Sequence, residues 1–134
     1  FFQELSGGEQ QRAHLARVLV QVWQPIDAQG PRWLLLDEPV SSLDIAHQLE
    51  VMEIVTRYAR RGGGVVAVMH DLNLTALHAD RIAVMQRGRL RAFGPPPEVM
   101  TDAILSEVYG CRLRVSAAPA GPAPFVLPHC AAPG

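Results

Sequence analysis

The stretch PRWLLLDEPVSSLD, residues 31–44, contains a short apolar run that ends in two carboxylates and a proline. Such a run, stopped by Pro39, is typical of a strand buried on both faces in a parallel sheet. A second run of this kind, VVAVM, occupies 65–69. Between the two runs, 44–60 has the apolar spacing of a helix and is followed by glycines. The order strand, helix, strand predicts an α/β fold in which the two strands are parallel.

The other elements are predicted from their apolar spacing and from the glycines and prolines that interrupt it. They are a helix over 6–23, a short helix over 73–79, a hairpin over 81–94 with its turn near Arg87 and Gly88, and one or two short helices after 95. From 116 onwards the sequence is rich in Ala, Pro and Gly. We therefore expect a folded part over 1–115 and a flexible tail over 116–134.

Composition limits the classes of function. The 134 residues are 49% hydrophobic and 19% charged, with a net charge of −1, so a core can form and no basic surface favours nucleic acid. No apolar run approaches the roughly 20 residues of a membrane span, and no signal-peptide pattern is present, so we expect a cytoplasmic protein. Cys111 and Cys130 have neither a metal-site nor a disulfide spacing.

The segment LSGGEQQR, residues 5–12, places two glycines at the start of the first predicted helix. Ser6 with Glu9 three residues later forms a capping box, which by itself would explain a helix start. A cap does not explain Gly7 and Gly8, since each costs up to about 1 kcal/mol relative to alanine inside a helix. A helix N-terminus without side chains exposes its N–H groups and suits an anion such as phosphate. Both interpretations remain open from this segment alone.

Ionisable side chains follow both predicted parallel strands where each strand ends. Asp37 and Glu38 follow the first strand, and His70 follows the second, so all three are expected at the rim where α/β sheets bind ligands. One carboxylate could hold Mg²⁺, the other could orient or deprotonate water, and the imidazole could donate to phosphate or to that water. Acidic turn residues are also ordinary, so the pair alone does not establish a site. The remaining histidines are interpreted as solvated: His14, His47, His78 and His129.

Four motifs follow one another in a diagnostic order: LSGGEQQR, LLLDEP, SSLD at 41–44 and a strand-end His70. By itself SSLD is a helix start, with Ser42 or Asp44 as its N-cap. Together, over about 3–95, the four motifs resemble the nucleotide-binding domain of ABC transporters. The resemblance implies a parallel-sheet P-loop NTPase (ABC ATPase) fold, of which this chain holds the C-terminal part, with a helical signature segment and a terminal β-hairpin.

The resemblance also implies roles for individual residues. Asp37 would hold Mg²⁺, Glu38 would be the catalytic base, and His70 would be the switch histidine near the γ-phosphate. The signature motif, in which Glu9 stands where glutamine is usual, would bind the ATP held by a partner subunit, and Asp44 would lie in the D-loop at the dimer interface. The implied nucleotide-binding residues are Ser6, Gly7, Gly8, Glu9 and Asp44.

Two longer segments, 31–49 and 62–85, resemble the ATPase subunits of bacterial importers for iron chelates. Heme importers are the nearest match, with ferric-siderophore and cobalamin importers as alternatives. The resemblance implies ATP and Mg²⁺ as cofactors, and a homodimer with a second ATP-binding subunit. It also implies membrane permease subunits, an indirect periplasmic heme-binding partner and no nucleic acid. The implied location is the cytoplasmic face of the inner membrane, as a peripheral subunit.

The sequence departs from this family in one respect. It contains no Walker A loop, G-x-x-x-x-G-K-[ST], and no lysine at all. We therefore expect the C-terminal part of a longer domain, which by itself would not hydrolyse ATP and would dissolve poorly, because one side of its sheet would lack a cover. The alternatives are a soluble ABC protein of translation or DNA repair, a truncated non-catalytic piece, and an unrelated α/β phosphate-binding module.

Overall fold

The structure is a computed structural model of the chain, which describes residues 9, 10, 13, 16–18, 20 and 24–130. The described residues up to 20 are helical, and the rest of the helix predicted over 6–23 lies outside the described residues. The chain forms two compact units, one ending at Leu72 and the other beginning at Asn73.

From residue 24 onwards, short strands alternate with helices. In chain order the elements are β1 (Ile26–Asp27), β2 (Gly30–Pro31), β3 (Trp33–Asp37), α1 (Ile45–Arg60), β4 (Gly64–Val68), α2 (Leu72–His78), β5 (Ile82–Gln86), β6 (Arg89–Gly94), α3 (Pro96–Val99), α4 (Asp102–Tyr109) and a 3₁₀ turn (Pro128–Cys130).

Strands β3 and β4 pair in parallel, which confirms the prediction from the strand–helix–strand pattern. Trp33 lies opposite Gly64 and Asp37 lies opposite Val68, so the two strands end at the same rim. Helix α1 connects them and packs against β4. The Tyr58 hydroxyl near the end of α1 donates to the carbonyl of Arg32 at 3.1 Å. This hydrogen bond therefore holds the end of α1 to the start of β3, at the opposite end of the strands from the rim.

The core of the first unit lies on one face of the β3–β4 pair. Leu34 on β3 is 1% exposed. The apolar spacing over 44–60 predicted a buried stripe of Ile45, Leu49, Met52, Val55 and Ala59, but only Met52 and Val55 of these are buried, and Ile45 is 49% exposed. The buried stripe observed on α1 has four residues. The stripe consists of Val51, Met52, Val55 and Tyr58.

The opposite face of β3 and β4 is exposed, so the expected burial on both faces is wrong for the structure described. Leu35 is 76% exposed and Val66, which pairs with it, is 51% exposed. Successive side chains of a strand point to opposite faces, and α1 covers only the face that carries Leu34. The apolar residues on both faces of β3 indicate a strand that requires another element packed against each face. Poor solubility of the chain by itself remains a prediction that follows from this face.

The second unit contains the predicted hairpin, β5 with β6. Its turn is Arg87-Gly88, both with positive φ (50° and 73°), as two-residue hairpin turns of type I′ require. The Gln86 side-chain amide donates to the carbonyl of Val108 at 2.9 Å, which links the hairpin to α4. Within the described part of the chain, no helix has the length and apolar character needed to cross a bilayer.

Candidate functional site

Glu38 occupies the first position after β3 and has an unusual backbone conformation. Its N–H continues the ladder by donating to the carbonyl of Val68 at 3.1 Å, and its carbonyl accepts from the N–H of Ser41 at 3.2 Å. Its φ is +46°, in the left-handed region that side chains other than glycine rarely adopt. A conformation of this kind costs of order 1–3 kcal/mol and persists where the surroundings hold it, often at functional sites.

His70 contacts Glu38 directly across the rim. The Nε2 atom of His70 lies 2.5 Å from Oε1 of Glu38. An ionised carboxylate can only accept, so the ring N–H donates in this contact. The His70 side chain is 75% exposed and the Glu38 side chain 42%, so both can be reached from solvent. The structure thus brings together the glutamate and the histidine that the sequence predicted at one rim.

A cavity of about 280 Å³ opens beside this contact. Its lining combines two apolar residues with five that can donate or accept hydrogen bonds: Val40, Met69, Glu38, Ser41, Gln48, His70 and Asp71. Cavities that enclose a whole small molecule begin at about 300 Å³. The space is near this lower limit and can admit a phosphate group with a water molecule.

The loop between Glu38 and α1 consists of tight turns. The N–H of Leu43 donates to the carbonyl of Val40 at 3.3 Å, and both side chains are buried. The side-chain amide of Gln48 on α1 donates to the same Val40 carbonyl at 3.3 Å and to the Leu43 carbonyl at 3.0 Å. The loop is therefore held both by its own turns and by the helix that follows it.

Asp44 is the N-cap of α1, in agreement with the capping interpretation of SSLD. Its Oδ1 accepts from the N–H of His47 at 3.0 Å, and its Oδ2 lies 2.7 Å from Nδ1 of the same residue. The hydrogen bond from the His47 backbone, and after it the one from the His47 side chain, lower the pKa of the Asp44 carboxyl. The nucleotide-binding role implied for Asp44 remains a prediction, since its two oxygens serve the helix in this structure.

The Asp44 contacts predict an acid-dependent effect on stability. A carboxyl whose pKa is lower in the folded state stabilises that state above its unfolded pKa of about 4, and this stabilisation is lost as the pH falls through the folded pKa. Asp44→Asn keeps the cap but removes the charge. We expect the variant to melt a few degrees below wild type at pH 7 and to approach wild type below about pH 4. Thermal melts over this pH range measure the difference.

The matched control for this prediction is Asp80→Asn, the same change at an exposed loop position. The control should melt with wild type at every pH. A pH-independent gap between Asp44→Asn and wild type would remove the charge of Asp44 from the explanation.

Asp37 does not join Glu38 in the cavity. It is the last residue of β3, exposed, and on the same sheet face as Leu35. Mg²⁺ in phosphate-transfer sites is commonly held by one or two carboxylates together with phosphate oxygens and water, and Asp37 can supply one such carboxylate. Among the residues that the structure describes, no three His, Cys, Asp or Glu side chains form a metal-binding cluster. The donor set therefore fits Mg²⁺ only with ligands from a bound phosphate.

Most of the predicted signature residues cannot be placed. Ser6, Gly7 and Gly8 are outside the described residues, and Glu9 is an exposed helical residue. Among the residues at the site, Gln48 was not predicted from the sequence, because the helical spacing over 44–60 concerns only the apolar stripe. The signal available was its position one helical turn after Asp44, which places its side chain near the loop that precedes the helix.

Comparison with known proteins gives relatives along almost the whole chain. No protein-family model matches it. The hemin import ATP-binding protein HmuV of Roseobacter denitrificans is 66% identical over 131 residues, which cover 98% of this chain and 50% of that protein. The chain thus spans about half the length of the curated relatives that it matches.

Solved structures agree with the fold. A metal-chelate type ABC transporter in an inward-facing conformation has a TM-score of 0.68 and 25% identity over 81% of this chain and 40% of that chain. A dimeric ATP-binding cassette bound to ADP and phosphate has a TM-score of 0.60 and 28% identity, over 70% and 37% of the two chains. The fold of the chain is thus that of part of an ABC ATPase domain.

Proposed function

We propose that this chain, which has the fold and the sequence pattern of ABC transporter ATP-binding proteins, is part of an ATP-hydrolysing subunit that energises import of heme across the bacterial inner membrane. The observation that carries the proposal is the contact between Glu38 and His70 at the carboxyl ends of two parallel strands. A carboxylate and an imidazole in contact beside a cavity of about 280 Å³ support a base and a hydrogen-bond donor acting together.

The proposed reaction assigns one task to each side chain of the pair. A water molecule in the cavity attacks the γ-phosphorus of ATP, and the bond from that phosphorus to the β–γ bridging oxygen breaks. The Glu38 carboxylate orients the water and takes its proton. The His70 ring N–H, which Glu38 accepts in the structure, turns to a γ-phosphate oxygen and stabilises its charge. Glu38 lines this cavity with its backbone in the left-handed region.

Two further elements of the site belong to the same proposal. Mg²⁺, with Asp37 as one ligand, would neutralise charge on the phosphates. The Gly7-Gly8 segment after Ser6 would offer its N–H groups to the γ-phosphate of ATP held by a second copy, with Glu9 and Asp44 near that interface. A relative in fold that forms a dimer supports two copies acting together. The subunit would lie at the cytoplasmic face of the membrane, bound to permease subunits that receive heme from a periplasmic binding protein.

Heme is favoured over other cargoes by one observation, the 66% identity to a protein named for hemin import. The test is growth of the parent bacterium after deletion of the gene, with heme or a ferric siderophore as the single iron source and, in a separate culture, under conditions in which growth requires added cobalamin. We expect growth on heme to be lost and restored by the complete gene, with use of ferric siderophores and cobalamin unchanged. Loss of siderophore or cobalamin use, with normal growth on heme, would transfer the assignment to those importers.

The competing interpretation is a non-catalytic piece. It is tested on the protein translated from the whole open reading frame that contains this chain, called here the complete gene product. Purified complete gene product should release phosphate from ATP in the presence of Mg²⁺. Absence of release beyond the background of a Glu38→Gln sample would favour the non-catalytic alternative.

A further inference from the structure

The loop that follows the candidate base is held by a side chain from the next helix. We infer that Gln48 is a positioning residue, whose amide holds the loop 39–44 and thereby keeps Glu38 in contact with His70. The functional part of this inference rests on the proposed ATPase activity. The geometric part stands on the contacts alone.

The first step is that Glu38 needs external support. A left-handed glutamate is about 1–2 kcal/mol less favourable than a right-handed one, and relaxation would swing the carboxylate away from the rim. The N–H of Glu38 is fixed by β4, so any relaxation must take place on its carbonyl side. That side leads into the loop through the turn from Glu38 to Ser41.

The second step is that Gln48 forms hydrogen bonds to this loop at two points. Its single Nε2 atom donates both of its hydrogens, one to the Val40 carbonyl and one to the Leu43 carbonyl. Val40 and Leu43 are themselves buried, at 6% and 9% exposure, so the loop is anchored on the core side and bonded on the polar side. Removing the donor from carbonyls in such a half-buried position destabilises the folded state.

The third step is that Gln48 stands on a rigid element. It lies within the first turns of α1, whose start is fixed by the Asp44 cap and whose body carries the buried stripe. Gln48 also lines the cavity that Glu38 and His70 share. Because Gln48 is fixed on a packed helix, its hydrogen bonds to the loop can hold Glu38 in a defined position relative to α1.

The decisive variant is Gln48→Met in the complete gene product, because methionine has similar length and no N–H donor. We expect kcat for ATP hydrolysis to fall about 10- to 100-fold, since small displacements of a reacting group have effects of this size. The KM for ATP should stay within about twofold. Backbone N–H exchange at Ser41 and Leu43 should accelerate, and the imidazole nitrogen NMR signals of His70 should shift.

The matched control is Gln86→Met, the same substitution at a half-buried glutamine that also donates to a backbone carbonyl. It should leave kcat, loop exchange and the His70 signals unchanged. The rescue variant is Gln48→Arg, whose Nε is the same number of bonds from the backbone as the Gln48 amide nitrogen. Because this Nε carries one hydrogen where the amide nitrogen carries two, the variant should recover part of the activity lost in Gln48→Met.

The outcomes separate this inference from the proposed function. A Gln48→Met protein with the kcat and loop exchange of Gln86→Met overturns the inference, and so does a Gln48→Arg protein no better than Gln48→Met. If the wild-type protein does not hydrolyse ATP, the proposed function fails. The exchange and His70 signals then still decide whether Gln48 holds the loop.

Discussion

Glu38→Gln is expected to lower ATP hydrolysis by the complete gene product about 10²- to 10⁴-fold, the contribution typical of a positioned general base. Glutamine has the shape of glutamate and can still hydrogen-bond to His70, so the strained loop and the cavity should persist. What is lost is the ability to take a proton from the attacking water. Phosphate release under saturating ATP measures the effect.

The same variant should retain ATP and stabilise the dimer, because ATP that is bound but not cleaved continues to hold the two copies together. Size-exclusion chromatography with ATP and Mg²⁺ would detect this as a dimer that outlasts the wild-type one. Glu50→Gln is the control, since Glu50 is an exposed glutamate on α1 away from the cavity. Near-normal turnover in Glu38→Gln would exclude Glu38 as the base.

His70→Ala is expected to lower hydrolysis about 10²- to 10³-fold while nucleotide binding is retained. The His70 imidazole contacts Glu38 beside the cavity. Removing one oriented donor from a developing negative charge has an effect of this size. Because the side chain is 75% exposed, the substitution removes little packing, and the melting temperature should change little. Turnover and fluorescent-nucleotide binding on one preparation separate the two effects.

The control for this variant is His129→Ala, the same change at an exposed histidine in the C-terminal segment, which should behave as wild type. A double variant, Glu38→Gln with His70→Ala, tests whether the pair acts as a unit. If it does, the double variant should be little slower than the slower single variant, because the effects of residues in one catalytic unit are strongly non-additive. If the fold-decrease in ATP hydrolysis of the double variant equals the product of the two single fold-decreases, the contact between Glu38 and His70 has no role in turnover.

Local patterns were sufficient for most of the fold. The apolar run that begins at Trp33 and the run at 65–69 became paired parallel strands, because a helix between two strands returns the chain to the end at which the first strand began. Arg87-Gly88 became the hairpin turn, and Asp44 became a cap, because both depend on residues adjacent in the chain. The expected burial of β3 on both faces failed, since burial depends on what lies against the strand and not on the strand itself.

Only part of the candidate site was predictable from the sequence. Parallel strands implied that Glu38 and His70 share a rim, and their contact follows from the register. Glu38 lines the cavity and Asp37 does not, as expected for adjacent residues at a strand end, whose side chains point in different directions. The left-handed φ of Glu38 could not be predicted from the sequence, because residues in this backbone conformation are usually glycine or asparagine.

The sequence by itself therefore determined which residues end each strand, that the helix starts within SSLD, and that Glu38 and His70 lie at one edge of a parallel sheet. These features depend on short-range propensity and on the two-residue period of a strand, both of which can be read from adjacent letters. Only the tertiary structure decided that Gln48 forms hydrogen bonds to the loop after Glu38 and that one face of the β3–β4 sheet is left exposed. Both depend on how α1 packs against the strands, and that packing minimises energy over the whole unit rather than over any one segment.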